Sequence, residues 1–303
     1  MKDPYDREIT NIRISLTQEC NLNCFYCHEE GEKGLEKGKL SAKNVNKIVK
    51  KASEFGMDKV KFTGGEPLVH PDIVDIIESA DEYMDDISIT TNGVLLEDMS
   101  EGLKDAGLDR ANVSLDTLDH KTYKKITDKN TLDKVKRGVK KAVNVGLFPV
   151  KINTLLMKDI NEDEIEDLIE FSSKTGAILQ IIEFTTNEEE VSKEFYKKYH
   201  VSLEKIADDL EKRAVDVKER RMHGRKKYFL DDPEAEVELV RTMHNTTFCS
   251  NCTRLRVTSN AELKPCLLRT DNHVSIREEL DRGLNLEEKF VEAINRREPY
   301  WSD

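Results

Sequence analysis

The sequence predicts an α/β fold with a parallel sheet and a functional site at one end of its strands. Short β-branched segments alternate with amphipathic helical segments six times between residues 11 and 184. Such alternation is typical of parallel sheets with crossover helices. Chemically distinctive stretches follow the predicted strands: a cysteine cluster, Gly-Gly-Glu, Thr-Thr-Asn, Ser-Leu-Asp and Ile-Glu-Phe. In βα barrels the carboxyl ends of the strands carry the active site.

Each predicted element follows from hydrophobic spacing and from the residues at its ends. The strands are predicted at 11–17, 58–67, 86–93, 110–116, 148–157 and 177–184. The helices are predicted at 41–56, 71–83, 97–106 and over segments that end near residue 145. Ser41 can cap the first helix. The helix after the fifth strand is predicted to start at "NEDE", with Asn161 as its cap and Glu164 three residues later, a variant of the capping box.

The strand–helix pattern ends near residue 185, and this divides the chain into two predicted parts. The first part, 1–185, carries the βα units, and the second, 186–303, is a C-terminal extension. Within the extension we predict acidic helices over 186–216, a hairpin over 217–230 that turns at His223-Gly224, and a strand over 237–243.

Composition excludes several classes of protein. The chain has 303 residues, of which 37% are hydrophobic and 36% are charged, and this suits a large core under a charged surface. The net charge of −12 argues against a nucleic-acid or membrane-surface binder, since such proteins are usually basic. No apolar run is long enough for a transmembrane helix, and the first residues lack the apolar core of a signal peptide. We therefore expect a cytoplasmic protein with reduced thiols.

All six cysteines fall into two triads, one toward each end of the chain. The first triad is Cys20, Cys24 and Cys27, spaced C-x3-C-x2-C, and the second is Cys249, Cys252 and Cys266, spaced C-x2-C-x13-C. Reduced thiols argue against a disulfide framework. The string C-x-x-C-H that ends at His28 matches haem attachment, but haem would leave the first cysteine unused.

Ligand counting leaves zinc and an iron–sulfur cluster as the candidates. A closed structural zinc site needs four ligands, and neither triad has a fourth cysteine. His28 follows Cys27 directly, so its ring would have difficulty reaching the same centre. An iron–sulfur cluster on three thiolates keeps one iron open for another ligand. The count favours a cluster at the first triad; at the second, with His273 seven residues after Cys266, both candidates stay open.

The motifs resemble those of the radical S-adenosylmethionine (SAM) superfamily. Its signatures are the first triad, with an aromatic residue before the last cysteine, and the following "GGEP". The stretches "RISLTQECNLNCFYC", "KFTGGEPL", "ITTNG", "NVSLD" and "CSNCTRLRVTSNAELKPCL" are similar to the GTP 3′,8-cyclase (MoaA) family over roughly residues 5 to 300. The second triad discriminates, because most superfamily members lack it. The resemblance implies a partial (β/α)6 TIM-like radical SAM barrel that the C-terminal extension closes.

The resemblance also implies the reaction and its cofactors. The family are lyases that convert GTP to (8S)-3′,8-cyclo-7,8-dihydroguanosine 5′-triphosphate, the first step of molybdenum cofactor biosynthesis. They use SAM and two [4Fe-4S] clusters, one on each triad. The first cluster binds SAM and splits it into methionine and a 5′-deoxyadenosyl radical, which takes the ribose 3′ hydrogen of GTP. The second cluster holds the guanine through its open iron.

Position-by-position matches to the family imply further site residues. SAM contacts are implied for Tyr26, Gly64, Gly65, Glu66 and Ser114, and the Gly-Gly turn is expected to let the backbone approach the ligand closely. GTP contacts are implied for Arg13, Lys61, Thr90, Lys151, Arg254 and Arg256. Of these, Arg254 and Arg256 are the candidate catalytic pair. Arginine suits a triphosphate because its planar fork can donate two hydrogen bonds.

Four departures from the family pattern bear on ligand binding. Lys61 stands where the family commonly has arginine, which keeps the charge and loses the fork. Gln180 stands where a family arginine precedes Ile-Glu-Phe, and Thr185 replaces a methionine at a SAM-contacting position. The sequence ends "REPYWSD", without the Gly-Gly tail that the family usually inserts toward the active site.

The expected partners are GTP, an electron donor such as a ferredoxin or flavodoxin, the downstream cyclic pyranopterin monophosphate synthase and a second copy of the chain in a homodimer. No nucleic-acid or membrane partner is expected. Two alternatives stay open. One is a radical SAM enzyme with an auxiliary cluster that acts on a peptide or another nucleotide; the other is a two-site zinc-binding structural module.

Overall fold

Six parallel strands form the centre of the fold, in a computed structural model that describes residues 1–32, 38–184, 193–220, 222–241 and 246–299. Strands β1 to β6 lie side by side in the order of the sequence. Their bounds are β1 Asn11–Ser15, β2 Lys59–Thr63, β3 Asp86–Thr91, β4 Arg110–Ser114, β5 Lys151–Leu155 and β6 Ile178–Ile182. The predicted partial (β/α)6 barrel is confirmed, with each strand shorter than its predicted range.

Helices connect these parallel strands and cover their apolar face. Their bounds are α1 Ala42–Glu54, α2 Ile73–Asp81, α3 Leu96–Asp105, α4 His120–Thr127, α5 Leu132–Asn144 and α6 Ile165–Thr175. Because successive strand residues point to opposite faces, every second side chain packs beneath a helix. The buried apolar positions of the first three strands are Ile12, Ile14, Val60, Phe62, Ile87 and Ile89.

The two predicted helix caps have different outcomes. Ser41 caps α1 as predicted, since its hydroxyl accepts the backbone N–H of Asn44 at 3.3 Å. The helix predicted to start after Asn161 does start there, as a 3-10 turn over Glu162–Glu164 that leads directly into α6, but the capping box is wrong because the Asn161 side chain makes no capping bond. Its amide instead donates to the carbonyls of Asp116 at 2.7 Å and Leu155 at 2.9 Å. The buried carbonyls at two strand ends therefore outcompete the helix terminus for this side chain.

The C-terminal extension lengthens the central sheet at both edges. Its strands are β7 Asp216–Arg220, β8 Arg225–Asp231, β9 Glu234–Val240, β10 Arg254–Val257, β11 Glu262–Lys264 and β12 Val274–Ser275. Its helices are α7 Glu194–Tyr199, α8 Glu204–Arg213, α9 Thr246–Ser250, α10 Arg277–Arg282 and α11 Glu287–Asn295. Strand β9 pairs parallel with β6, and β10 pairs parallel with β1, so the sheet order is β12-β11-β10-β1-β2-β3-β4-β5-β6-β9-β8-β7.

The predicted hairpin is confirmed as β7 and β8, joined at His223-Gly224, where both residues have positive φ. The strand predicted at 237–243 begins and ends three residues earlier, as β9. The division of the chain at residue 185 stays a prediction, and Thr185 itself lies outside the described residues. No helix in the described ranges is long and apolar enough to cross a membrane.

The face of the sheet opposite the first six helices is polar. The register places Arg256, Arg13 and Lys61 side by side on β10, β1 and β2. Farther along the sheet, Gln180 and Glu238 are direct neighbours on β6 and β9. An inner face that carries this much charge requires charged partners, because isolated ions are costly to remove from water.

Candidate active site between two cysteine triads

The two cysteine triads lie at opposite ends of one pair of strands. Strands β1 and β10 run parallel with Asn11 opposite Arg254, so Cys252 precedes the amino end of β10. Cys20 lies beyond the carboxyl end of β1. Cys266 follows β11, which runs antiparallel to β10 and returns the chain to the end where Cys252 lies. Strand β1 is about 13 Å long at about 3.3 Å per residue, so the two triads lie at about that distance from each other or farther apart.

The first triad lies on the loop after β1. The N–H of Cys27 donates to the Cys24 carbonyl at 3.1 Å, and the N–H of Leu22 approaches Cys20 Sγ at 3.4 Å. Burial, followed by Asp116 and the two neighbouring thiols, raises the pKa of Cys24 to about 12. The three thiols are therefore close enough to influence one another. All six cysteines of the chain are described, and none of them forms a disulfide.

The Gly-Gly-Glu turn after β2 holds this loop in place. The N–H of Gly65 donates to the Thr17 carbonyl at 2.7 Å, and the N–H of Glu66 donates to the Glu19 carbonyl at 2.8 Å. A Cβ on Gly64, where φ is +147°, would lie 2.3 Å from the Thr17 oxygen, and one on Gly65 would lie 2.4 Å from the Glu19 oxygen. The space beside both glycines is therefore filled by the backbone that leads into the cysteine loop, so a larger residue at either position would clash with that backbone.

Glu66 connects this turn to the end of β3. Its buried carboxylate accepts hydrogen bonds from Thr91 Oγ1 at 2.7 Å and from the Asn92 N–H at 2.6 Å, and burial raises its pKa to about 7. The Asn92 side chain donates in turn to Asn21 Oδ1 at 2.6 Å, beside Cys20. The Glu66 carboxylate, which follows β2, therefore fixes Asn92 at the end of β3, and Asn92 in turn positions the first cysteine loop.

Tyr26 joins the same loop to the ends of β4 and β5. Its hydroxyl donates to Asp116 Oδ2 at 2.6 Å, and Asp116 Oδ1 accepts the Leu155 N–H at 2.9 Å. Burial raises the pKa of Asp116 to about 6. Ser114, a predicted SAM contact, is half-buried at the end of β4, two residues before Asp116. Sequence reasoning missed Asp116 as a functional residue, although it ends the "NVSLD" stretch.

The predicted GTP contacts Arg13 and Arg256 meet at a carboxylate that sequence reasoning also missed. Arg13 Nη2 lies 2.6 Å from Glu30 Oε1, and Arg256 Nη1 lies 3.6 Å from Glu30 Oε2. Burial disfavours the charge on Glu30, but the two arginines outweigh it and lower the pKa of Glu30 to about 2. Glu30 lies three residues after Cys27, and a substrate anion would compete with it for the two guanidinium groups.

Like charges crowd the middle of the site. Burial and the nearby Arg13 and Arg254 lower the pKa of Lys61 well below its ordinary value. Burial, together with Arg256 and Arg13, lowers the pKa of Arg254 to about 9. Each shift means that the positive charge of the group is disfavoured in its present surroundings. An anion bound here would stabilise the charged forms of Lys61 and Arg254.

The remaining predicted GTP contacts lie on β3 and β5. Thr90 is half-buried and stands opposite Asn112 of β4, which in turn stands opposite Lys151 of β5. Lys151 Nζ donates to Glu238 Oε1 at 2.5 Å, and Gln180 Nε2 donates to the other oxygen of the same carboxylate at 2.6 Å. Burial lowers the pKa of Lys151 to about 8, although the Glu238 carboxylate opposes that shift.

The second triad is held by a network that joins the two ends of the chain. Arg297 Nη2 donates to the Cys252 carbonyl at 2.8 Å, and Arg7 Nη1 donates to the Cys249 carbonyl at 3.2 Å. Both arginines pair with the buried Asp3 carboxylate, Arg7 Nε at 2.7 Å and Arg297 Nε at 2.9 Å. Sequence reasoning missed this network because two of its members, Asp3 and Arg297, lie 294 positions apart.

The donor chemistry of both triads fits iron–sulfur clusters. Soft thiolates suit such clusters, and three per site leave one iron open. Burial opposes ionisation of Cys252, but Arg297 and Arg254 outweigh it and lower its pKa. In the described ranges no group of three or more His, Cys, Asp or Glu side chains is placed to hold a metal ion by itself.

Asp3→Asn is expected to release the second cysteine loop. Breaking a buried ion pair by removing one partner costs about 3–5 kcal/mol, because the other charge stays buried. Iron in the reconstituted protein should fall from about eight to about four atoms per chain, while SAM binding at the first triad persists. The control is Asp6→Asn, since Asp6 forms an exposed pair with Lys2. Full iron content in Asp3→Asn would contradict this role.

Comparison with known proteins places the chain in a family. A sequence model described as the Radical SAM superfamily matches residues 14–172, and one described as Molybdenum Cofactor Synthesis C matches residues 177–303. A Pyrococcus abyssi protein named "Probable GTP 3′,8-cyclase" is 49% identical over 305 residues, which cover 99% of each chain. This chain belongs to the GTP 3′,8-cyclase family. Relatives of that name from Thermococcus kodakarensis and Methanocaldococcus jannaschii are each 48% identical to this family member, over 99% of both chains.

Two solved structures share the fold of this GTP 3′,8-cyclase family member. The Streptococcus suis protein SuiB, bound to S-adenosylmethionine, gives a TM-score of 0.67 at 18% identity, over 92% of this chain and 66% of SuiB. Native anSMEcpe with bound AdoMet gives 0.63 at 15% identity, over 92% of this chain and 82% of that one. The chain thus spans about two thirds of the length of SuiB. The predicted family and fold class are both confirmed.

Proposed function

We propose that this chain is a GTP 3′,8-cyclase that converts GTP to (8S)-3′,8-cyclo-7,8-dihydroguanosine 5′-triphosphate in molybdenum cofactor biosynthesis. The observation that carries the proposal is the pair of cysteine triads at opposite ends of β1 and β10, next to cations that lie side by side on β10, β1 and β2. One triad suits SAM, the other suits the guanine, and the cations suit the triphosphate. The names of the relatives that match over 99% of the chain support the same reaction.

Each triad would hold one [4Fe-4S] cluster, the first on Cys20, Cys24 and Cys27 and the second on Cys249, Cys252 and Cys266. Once reduced by an external one-electron donor, the first cluster would supply the electron that splits SAM into methionine and a radical, and that radical would take a hydrogen atom from GTP to become 5′-deoxyadenosine. The protein orients SAM through Tyr26, Gly64, Gly65, Glu66 and Ser114. Tyr26 and Glu66 hold the first loop by their bonds to Asp116 and Asn92.

The cationic residues bind and orient the nucleotide. Arg13 and Arg256 hold Glu30 when no substrate is present, and they exchange it for the nucleotide, so the substrate arrives at guanidinium groups that are already in place. Arg254 stands two residues from Cys252 and on the same face as Arg256. The two β10 arginines therefore orient the end of GTP that meets the second triad. Lys61, Thr90 and Lys151 face the rest of the molecule from β2, β3 and β5.

GTP binding is expected to weaken as the pH rises through about 8. Lys151 has a pKa of about 8, so its positive charge is present below that pH and is lost above it. The affinity can fall by at most about tenfold per pH unit for one such proton. Lys151→Arg keeps its charge across this range and is expected to give a flatter profile. Dissociation constants for GTP between pH 7 and 9.5 provide the measurement, and identical slopes in both proteins would contradict it.

Anaerobic reconstitution tests the proposed function. The protein is purified without oxygen, loaded with iron and sulfide, and given SAM, a strong reductant and GTP. We expect about eight iron atoms per chain and GTP consumption with formation of 5′-deoxyadenosine. SAM cleavage without GTP consumption would instead support the radical SAM alternative with a peptide or another nucleotide. Failure to take up iron would exclude both. The electron donor, the downstream synthase and the homodimer stay predictions.

A further inference from the structure

A buried carboxylate on β9 gathers four cations from three other strands. The side chain of Glu238 is fully buried, and its Oε1 lies 2.5 Å from Lys151 Nζ and 3.3 Å from Arg220 Nη1. Its Oε2 lies 3.8 Å from Arg225 Nη1, and its Oε1 lies 3.6 Å from Lys227 Nζ, which also pairs with Glu236. Burial opposes ionisation of Glu238, but Lys151 and Arg225 lead the cations that outweigh it and lower its pKa to about 2. One buried negative charge therefore sits among four positive charges, of which Glu236 compensates one.

When Glu236 is counted with Glu238, the four cations of this cluster exceed its two carboxylates by two positive charges. Lys151 and Arg225 have side chains that are 8% and 11% exposed, so water can supply only part of the missing compensation. The Nε atom of Arg225 is buried and has no hydrogen-bond acceptor within the described ranges. A buried donor without an acceptor is costly, and so is a buried surplus of charge. Both observations point to an anion that binds beside Arg225.

The cluster adjoins the cations that face the two triads. Arg225 lies close enough to Arg254 to lower its pKa, after the larger effects of burial, Arg256 and Arg13. Lys151 likewise lowers the pKa of Lys61, after the larger effects of burial and of three arginines. The Glu238 cluster therefore continues the substrate space and does not form a separate surface patch.

The cluster also bears on the missing family arginine at position 180. The Gln180 amide donates to Glu238 Oε2 at 2.6 Å, so Gln180 is committed to holding the carboxylate. Arg220 and Arg225 lie on β7 and β8, and their register makes them the cross-strand pair next to the hairpin turn. Two guanidinium forks thus reach the same carboxylate that Gln180 holds.

We propose that Arg220 and Arg225, gathered by Glu238 beside Lys151, form the subsite for the terminal phosphates of the nucleotide and replace the arginine that this chain lacks at position 180. This inference rests on the proposed function, and it assigns a role to a hairpin that lies outside the six βα units. A triphosphate carries about four negative charges at neutral pH, since its last ionisation has a pKa near 6. Guanidinium forks match phosphate oxygens in geometry, and the surplus positive charge matches them in sign.

Binding measurements on Arg220→Gln and Arg225→Gln test the subsite. The protein carries its reconstituted clusters, and the probes are GTP, guanosine and inorganic tripolyphosphate. Each variant should bind GTP about tenfold more weakly, because a charged hydrogen bond is lost, and should bind guanosine as the wild type does. Arg225→Lys should recover part of the loss. The control is Lys226→Gln, because Lys226 is the next residue on β8 and pairs with Glu211 at the surface; it should bind all three probes normally.

The outcomes distinguish failure of the proposed phosphate subsite from failure of the proposed GTP reaction. An equal loss of GTP and guanosine affinity would give the arginines a structural role only, and an unchanged GTP affinity would also overturn the proposal. If the wild type binds no GTP, the proposed function fails. The tripolyphosphate measurement then decides the subsite by itself, in a double variant that combines Arg220→Gln with Arg225→Gln. Binding that is lost in this double variant supports the subsite, and binding that persists there, or is absent from the wild type, overturns it.

Discussion

Cys24→Ala and Cys252→Ala are expected to stop the reaction at different points. Cys24 belongs to the triad beyond the carboxyl end of β1, so its loss should abolish both SAM cleavage and GTP conversion. Cys252 precedes β10 at the opposite end of the site, so its loss should abolish GTP conversion and leave SAM cleavage in place. Each variant should retain about four iron atoms per chain. Quantifying 5′-deoxyadenosine and the cyclised nucleotide in the same reaction makes the distinction.

The control for these two variants is His28→Ala, which alters the same loop without removing a thiol. His28 follows Cys27 directly, and we predict no ligand role for it, so iron content and both activities should persist. If Cys252→Ala stopped SAM cleavage while the first cluster remained intact, the separation of roles between the two triads would be wrong. The same conclusion would follow if Cys24→Ala still cleaved SAM.

Arg256→Ala is expected to reduce kcat/KM for GTP on the order of 100-fold while SAM cleavage continues. Arg256 is largely buried and shares Glu30 with Arg13, so its loss removes one of the two guanidinium groups that the nucleotide meets. Truncating a buried, hydrogen-bonded charge typically costs about 2–5 kcal/mol in binding, and 1.4 kcal/mol corresponds to about tenfold. Without a correctly held nucleotide, SAM is consumed unproductively.

The ratio of 5′-deoxyadenosine to cyclised nucleotide measures this uncoupling. It should be near one in the wild type and should rise in Arg256→Ala, and Arg256→Lys should recover part of the lost rate because it keeps the charge. Arg282→Ala is the matched control, since Arg282 pairs with Glu278 on the surface. An equal loss of SAM cleavage and GTP conversion in Arg256→Ala would mean that the arginine supports the fold and not the substrate.

Local patterns allowed the core of the fold to be predicted, because strand and helix periodicities are set by neighbouring residues. All six parallel strands lie within their predicted ranges, and the Ser41 cap and the His223-Gly224 turn are present. The Asn161 cap is wrong because a local motif was outcompeted by carbonyls from two other strand ends. Local sequence carries no information about such competitors.

The site was predictable where a family motif fixes it and not where partners come from distant strands. The six cysteines and the cations of β1, β2 and β10 follow from motifs. Glu30, Asp116 and Glu238 do not, because each is identified by what it touches after folding: two arginines, a tyrosine and a set of cations. Asp3 and Arg297 are the extreme case, since nothing near either residue indicates that they share an ion pair.

The structure shows what surrounds Lys61 and Gln180, the two positions where the family commonly has arginine. Lys61 lies among Arg13 and Arg254, so a compact ammonium there still adds to a strongly positive site. Gln180 holds Glu238, around which the hairpin arginines gather. The positive charge that β6 lacks at position 180 is therefore present on β7 and β8, at Arg220 and Arg225.

In the proposed reaction the ribose 3′ hydrogen of GTP passes to the SAM-derived 5′-deoxyadenosyl radical, and isotope transfer measures this step directly. GTP deuterated at C3′ is given to the reconstituted, reduced protein with SAM, and the 5′-deoxyadenosine is analysed by mass spectrometry. We expect 5′-deoxyadenosine that is one mass unit heavier, formed in step with the cyclised nucleotide. Unlabelled 5′-deoxyadenosine, formed while the deuterated GTP is consumed, would contradict the proposed reaction.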